Sequence, residues 1–417
     1  MTSSLIITLF ICVYVGIALG RIPGLAIDRT GVALLGAIGM LELSGMTLPE
    51  AGTLIDLHTL LLLYALMVFS AQLRLGGFYT RVAWKLTLLL ERPPRFLAWQ
   101  MTASALLSSL LANDIICLAF APVIARACLT AGISPMPHLL GLAMAANIGS
   151  AATLIGNPQN MLIGQLGRLE FADYLAWSLI PTLVSLAGAW VILRLLYRSV
   201  LDRRPDPNGT ASITVADTDQ PFDAWQTGKG LILLTLLVAL FFTELSRDMV
   251  ALSLAALLLL SRRMRTRSIL GLIDWHLLTL FAALFIVVGI FRGTGAPDQI
   301  MHWLAAQGVE LSDGHVLTFV TALLSNLVSN VPATMLLTQV LDPAHPENWY
   351  ILAMASTFAG NLLLIGSIAN LIVAEQVAPL GVQLGFGEYA RAGVPITLLS
   401  LAILSMWLYM GGQVFNL

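Results

Sequence analysis

Apolar stretches of roughly 17 to 25 residues, long enough as helices to cross about 30 Å of hydrocarbon, recur from Leu5 almost to the end of the chain. A chain patterned this way has the bilayer for solvent, and its fold class is an all-α polytopic membrane protein. Only 11% of the 417 residues are charged and 58% are hydrophobic, whereas soluble domains carry about 25% charged residues. A net charge of −2 and the lack of a basic tail give no reason to expect a nucleic-acid partner. Cys12, Cys117 and Cys128 lie in or beside apolar runs without CxxC spacing, so neither a disulfide framework nor a thiolate metal site is indicated. The first apolar run follows Met-Thr-Ser-Ser, without a basic n-region or an A-x-A cleavage site, and reads as a retained helix.

Apolar runs read against their charged and Pro/Gly boundaries predict helices near 4–20, 29–45, 56–73, 138–163 and 172–197, with an irregular apolar segment at 97–126. A polar stretch from Asp202 to Gly228 reads as a solvent-exposed linker. Beyond it the same order returns, with helices near 229–244, 248–261, 274–291, 349–374 and 390–412 and an irregular segment at 314–340. Ile55-Asp56-Leu57-His58 recurs as Ile273-Asp274-Trp275-His276, and at the same offset (274 − 56 = 218) Arg74 matches Arg292 and Gly77 matches Gly295. Farther on, Leu154-Ile155-Gly156-Asn157-Pro158-Gln159-Asn160 aligns without gaps to Leu364-Ile365-Gly366-Ser367-Ile368-Ala369-Asn370. The chain therefore divides into a first repeat at 1–198, a linker at 199–228 and a second repeat at 229–417. Duplication of this kind is common in transporters that hold substrate at the repeat interface.

Lys and Arg are retained on the cytoplasmic side. Segment 74–95 carries Arg74, Arg81, Lys85, Arg92 and Arg95, whereas its counterpart 292–313 carries Arg292 with Asp298, Glu310 and Asp313. The first is expected to face the cytoplasm and the second outside. With about five spans per half the second repeat is inverted, the linker is cytoplasmic, and both termini lie outside a bacterial-type inner membrane.

Each irregular segment is too long for one span and carries polar residues in its middle, and so reads as a re-entrant hairpin. The expected tips are Ser108 to Asp114 and Ser325 to Pro332. Non-helical backbone at membrane depth is tolerated only where protein or a water-filled cavity surrounds it, so the tips imply an internal site. The motifs Gly156 to Asn160 and Gly366 to Asn370 read as breaks inside long helices: Pro158 lacks an amide hydrogen and the glycines permit unwinding. Unwinding frees carbonyls for a cation and amides for an anion.

These motifs resemble the ion transporter superfamily, which includes divalent-anion/sodium symporters, citrate transporters, arsenite permeases and NhaD-type antiporters. The resemblance covers most of the chain. It rests on Ala112-Asn113-Asp114 with Pro122, Asn147-Ile148-Gly149 leading to Thr153 and Gly156 to Asn160, Ser329-Asn330-Val331-Pro332, and Gly360-Asn361 leading to Gly366 and Asn370. It implies two tips opposite two breaks, a coupling cation at each pair, substrate between them, an elevator-like shift and a homodimer. By this mapping Asn113, Asn157 and Asn160 serve one pole, and Asn330, Ser367 and Asn370 the other, with Thr153 and Ser329 as lesser candidates. Sodium, where it is the coupling ion, would sit at Asn113, Asn157, Asn330 and Ser367; a proton is the other coupling ion considered.

Asp114 is the one carboxylate in the middle of an apolar segment, which suits proton or cation coupling and equally a cap on a helix start. Asp56 and Asp274 read as N-caps, and Arg74 and Arg292 as dipole-complementing ends. No H-E-x-x-H motif, Walker A loop or placed serine/histidine pair is present, so an enzyme is not expected, and transport must draw on ion gradients. The leading reading is secondary transport of a small inorganic or carboxylate anion. Efflux of arsenite or antimonite and sodium/proton exchange are the alternatives.

Overall fold

The computed structural model describes residues 2–20, 24–203, 222–341 and 345–411. In the first half it forms α1 (Thr2–Leu19), α2 (Arg29–Ser44), α3 (Leu48–Leu54), α4 (Leu57–Leu75), α5 (Phe78–Thr87), α6 (Pro93–Leu110), α7 (Asn113–Thr130), α8 (Met136–Ser150), α9 (Pro158–Leu166), α10 (Phe171–Leu196) and α11 (Arg198–Leu201). The second half gives α12 (Ala224–Leu240), α13 (Arg247–Leu259), α14 (Thr266–Leu270), α15 (Trp275–Gly293), α16 (Ala296–Ala306), α17 (Gly314–Val328), α18 (Asn330–Leu337), α19 (Pro346–Ala359), α20 (Ile368–Val377) and α21 (Phe386–Gly411). The fold is all-helical, and α4, α7, α10, α15 and α21 are long and apolar enough to cross a membrane.

The helix starts follow from local chemistry. Asp56 Oδ1 accepts from the Thr59 amide at 2.7 Å and Asp274 Oδ1 from the Leu277 amide at 2.9 Å, so the repeated Ile-Asp motif is a repeated N-cap. Asp223 caps α12 in the same way. Residues 223–228, read from the sequence as linker, are therefore the cap and first turn of that helix. Their polarity serves the interior: Gln72 donates to Gln226 Oε1 at 2.8 Å and Thr227 donates to the Gly76 carbonyl at 3.0 Å. Residues 204–221 of the expected linker lie outside the described residues.

Both hairpins form, with shorter tips than the sequence suggests. Helix α6 runs through Ser108 and Ser109 to Leu110, and only Leu111 and Ala112 precede α7. In the second hairpin α17 runs to Val328, and Ser329 alone makes the turn, at φ 77° and ψ 157°. A non-glycine residue in that region costs on the order of 1–3 kcal/mol and persists only where its surroundings fix it. Both long helices are broken, at 151–157 between α8 and α9 and at 360–367 between α19 and α20; the breaks begin ahead of Gly156 and Gly366, and Pro158 to Asn160 and Ile368 to Asn370 already form the first turns of the helices that follow.

Two groupings of helices result. Helices α6 and α8 pack along each other, as do α17 and α19, while α7 lies against α20 and α10 against α21. Around them stands a frame whose members are exchanged: α2 packs along α15 and α13 along α4. The start of α4 and the end of α15 line one cleft, whereas the end of α4 and the start of α15 line another. The two matching helices thus lie with opposite ends together.

Contact between hairpin and broken helix is closest at Gly149, where an added Cβ would sit 2.3 Å from the Ala105 backbone. Gly149→Ala is therefore expected to lower the melting temperature in detergent by the equivalent of about 1–3 kcal/mol of overpacking. Gly52→Ala in α3, which meets nothing within 4 Å, should leave it unchanged.

Candidate functional site

Four helix starts belong to the tips and breaks: α7 at Asn113, α9 at Pro158, α18 at Asn330 and α20 at Ile368. Each carries the positive end of a helix dipole. Helix α9 is capped by Asn157 Oδ1, which accepts from the Asn160 amide at 2.8 Å, and α20 by Ser367, which accepts from the Ala369 amide at 3.3 Å. At α7 and α18 the capping positions, Ala112 and Ser329, supply no side-chain cap. The two hairpin helices thus start with amides that no capping side chain occupies.

The breaks are closed by their asparagines. Asn160 Nδ2 donates to the carbonyls of Thr153 at 3.0 Å and Ser150 at 3.4 Å; Asn370 Nδ2 donates to those of Gly360 at 2.8 Å and Leu363 at 3.2 Å. These partners correspond across the repeat (360 − 150 = 363 − 153 = 370 − 160 = 210). Several carbonyls freed by unwinding are therefore already engaged. Tyr174 strengthens the first break, donating to the Ala151 carbonyl at 2.8 Å and accepting from Asn160 at 3.3 Å.

Two residues outside the sequence-derived set organise the rest. Asn147 in α8 accepts from Asn113 Nδ2 at 2.9 Å and Ser367 Oγ at 3.1 Å, and donates to Asn361 Oδ1 at 2.9 Å and Asn370 Oδ1 at 3.0 Å. In α19, Thr357 accepts from Asn157 Nδ2 at 3.1 Å, and its one hydroxyl proton lies between the Ala353 carbonyl at 2.8 Å and Asn160 Oδ1 at 3.2 Å. Residues 147 and 357 are again 210 apart. Each break is braced by the helix that leads into the other break. The offset was readable in the sequence, but both residues sit in the last helical turn before a break, ahead of the Gly156 and Gly366 motifs that mark it in the sequence.

The remaining candidates spread around this network. Asn113 also approaches the Gly156 carbonyl through its backbone amide at 3.4 Å, and its Oδ1 is buried without a hydrogen-bond partner. It is wired by its side chain to Ser367 and Asn370 through Asn147, and not to Asn157 or Asn160. Asn330, with its amide nitrogen toward the carbonyls of Gly366 (3.2 Å) and Ser356 (3.3 Å), ties the second tip to the second break. Thr153 donates to the Ser109 carbonyl and ties the first break to α6. Ser329 holds the strained turn. Asp114 lines a cavity of about 210 Å³ with Arg74, Asp274, Ala112 and Pro158. Ser108 and Ser325, matching residues before the two tips (325 − 108 = 330 − 113 = 217), bury hydroxyls that have no partner.

Among the described residues no group of His, Cys, Asp or Glu is placed to hold a metal. A cation here would be bound by amide, hydroxyl and carbonyl oxygens, as suits a hard monovalent ion.

The sequence profile of the citrate transporter family matches residues 14–359. The chain belongs to the citrate transporter family. Relatives of this family member include a rice silicon efflux transporter (Oryza sativa subsp. japonica), 28% identical over 92% of each chain. An inner membrane protein of Escherichia coli, YbiR, is 30% identical over 76% of this chain and 79% of its own. The crystal structure of the Alcanivorax borkumensis YdaH transporter has the same fold, with a TM-score of 0.58, 14% identity and 99% coverage of both chains. This citrate transporter family member is thus a multi-pass membrane transporter and not an enzyme.

Thr357→Val removes an acceptor of Asn157 Nδ2 and the hydroxyl beside Asn160 Oδ1 and is expected to cost about 1–3 kcal/mol, read as a lower melting temperature. Thr357→Ser keeps the hydroxyl and should remain close to wild type.

Proposed function

We propose that the chain is a secondary active transporter that moves a small inorganic or carboxylate anion across the inner membrane, driven by a sodium or proton gradient. The observation that carries this reading is the pair of hairpin helices, α7 and α18, that start without side-chain caps beside the amide-lined breaks. Helix N-termini of this kind bind anions without a basic side chain. The buried, unpartnered oxygens of Asn113, Ser108 and Ser325 supply acceptors for a coupling sodium. Asp114, which has no counterpart carboxylate at Val331 in the second tip, is the proton-coupling candidate.

Comparison of the two clefts supports an elevator-like shift. The cleft between Arg74 and Asp274 meets residues 112–118 of the first hairpin. Its counterpart, about 540 Å³ between Asp56 and Arg292, meets Met335, Thr338 and Gln339 of the second. Those positions match 118–122 in the first hairpin (335 − 118 = 217). The two hairpins therefore meet equivalent parts of the frame in different registers. Exchange of these registers would carry the site across the membrane. The charge on segment 74–95 assigns the Arg74 cleft to the cytoplasm, which gives an inverted second repeat, a cytoplasmic segment at 199–228 and external termini. The site would work in a homodimer, as in the relatives that the sequence resembles.

A second reading is efflux of a hydroxylated solute such as arsenite, favoured by the named silicon efflux activity of the rice relative and by amides that can hydrogen-bond neutral hydroxyls. Sodium/proton exchange alone is the third. Proteoliposomes loaded under imposed sodium or proton gradients and offered labelled sulfate, citrate, succinate or arsenite distinguish them. Saturable, gradient-driven uptake of one anion, lost in Asn113→Ala and uncoupled in Asp114→Asn, is expected. Movement of arsenite alone would replace the anion reading with the efflux one, and ion exchange without solute would replace both.

A further inference from the structure

The hub at Asn147 does more than join two helices. It is buried at 2% exposure and uses its full hydrogen-bonding capacity, two donated and two accepted bonds. The direction of those bonds is set by the surroundings. Asn370 Nδ2 is committed to the carbonyls of Gly360 and Leu363, and Asn361 Nδ2 to that of Met144 at 3.3 Å, so both present their oxygens to Asn147. Asn147 must therefore face them with its nitrogen. Its oxygen is left for Asn113 and Ser367, one residue from each half of the chain.

That arrangement fixes the polarity of both partners. Asn113 has to turn its NH₂ group toward Asn147, which leaves Oδ1 pointing away, buried and without a partner. Ser367 spends its hydroxyl proton on Asn147 and one lone pair on the Ala369 amide, which leaves one lone pair for a ligand. We propose that Asn147 is a positioning residue that orients Asn113 Oδ1 and Ser367 Oγ as acceptors for a bound monovalent cation, and so links the two cation positions of the transporter. The inference rests on the reading above that a cation such as sodium is coupled at these tips and breaks. It adds a residue that does not touch the ion and that decides which atoms of its neighbours do. Without it Asn113 could rotate its amide and present a donor, which repels a cation. Asn147 also makes the two positions one unit, because a ligand that orders Asn113 orders Ser367 through the same oxygen.

The repeat supplies the conservative replacement. Thr357 occupies the matching position in the second half and accepts from Asn157 Nδ2 with its hydroxyl, as Asn147 accepts from Asn113. A threonine at 147 would likewise accept from Asn113. An aspartate at 147 would accept from both Asn113 and Ser367 but could not donate to Asn361 or Asn370. It separates orientation from stability.

The test is thermal unfolding of the purified full-length protein in detergent, titrated with sodium chloride against choline chloride. For wild type, sodium is expected to raise the melting temperature saturably. In Asn147→Leu, or Asn147→Ala where leucine does not fold, the sodium concentration at half effect should rise about 10- to 100-fold, the usual range for loss of an outer-sphere partner of a metal ligand. Asn147→Thr should stay near wild type. Asn147→Asp, which also adds a negative charge beside the cation, should melt lower in choline yet keep or lower its sodium midpoint, which a merely structural role would not do. Equal midpoints in all variants, with only the melting temperatures lowered, would overturn the assignment. Absence of any sodium-specific stabilisation of wild type would also overturn it, while leaving anion transport to be judged by flux.

Discussion

Backbone that leaves the helix inside a membrane has no water to bond with, and the architecture turns on how that requirement is met at two places. Each break exposes carbonyls that α-helical pairing would have consumed, at a cost of several kcal/mol for every group left bare in hydrocarbon. Asn160 and Asn370 reach back across ten residues to close them. Once these asparagines are committed, Asn157 and Ser367 are fixed as caps, the N-termini of α9 and α20 are aimed, and the hairpins have something rigid to lean on. A site that must open to either side needs a core that does not loosen as it moves, and these bonds supply it.

The two halves share this device but differ in charge. Their frames match down to the aspartate caps at Asp56 and Asp274 and the arginines at Arg74 and Arg292. Their tips do not, since Asp114 stands where the other hairpin has Val331. The frames are equivalent, and an ionisable group stands at one of the two hairpin tips only.

The long apolar helices, the aspartate caps and the presence of two breaks were legible because each has a local signature, whereas α3, α5 and α16 lie in polar or charged segments and were not read as helices, and the breaks begin ahead of the Gly156 and Gly366 motifs. The hairpin tips were misjudged by several residues for an equally local reason. Ser109 donates to the Leu106 carbonyl at 2.8 Å and Asn326 to the Ala322 carbonyl at 3.0 Å, so polar residues that look like interruptions bond back into their own helices and allow them to continue. The start of α12 was hidden in the same way, because Gln226 and Thr227 are polar for the sake of α4. Asn147 was noted only as part of a motif and Thr357 not at all, because both lie in the last turn of a helix ahead of its break, and only the crossing of α8 and α19 over the opposite breaks gives them their side-chain partners. The citrate transporter family match fixed the class of protein, while the bonds that arrange its centre required coordinates.

The exchanged frame bears on how the protein is made. Helix α2 finds its main neighbour in α15, and Thr30 reaches the His276 carbonyl across 246 residues of chain. A ribosome that has delivered the first half into the membrane has therefore delivered helices whose partners have not yet been synthesised. Until α13 and α15 arrive, α4 and α2 present unfilled grooves to lipid. Assembly of the frame is thus a late event that waits on the second half, and a chain severed between α11 and α12 would yield two fragments, each needing the other to complete its scaffold.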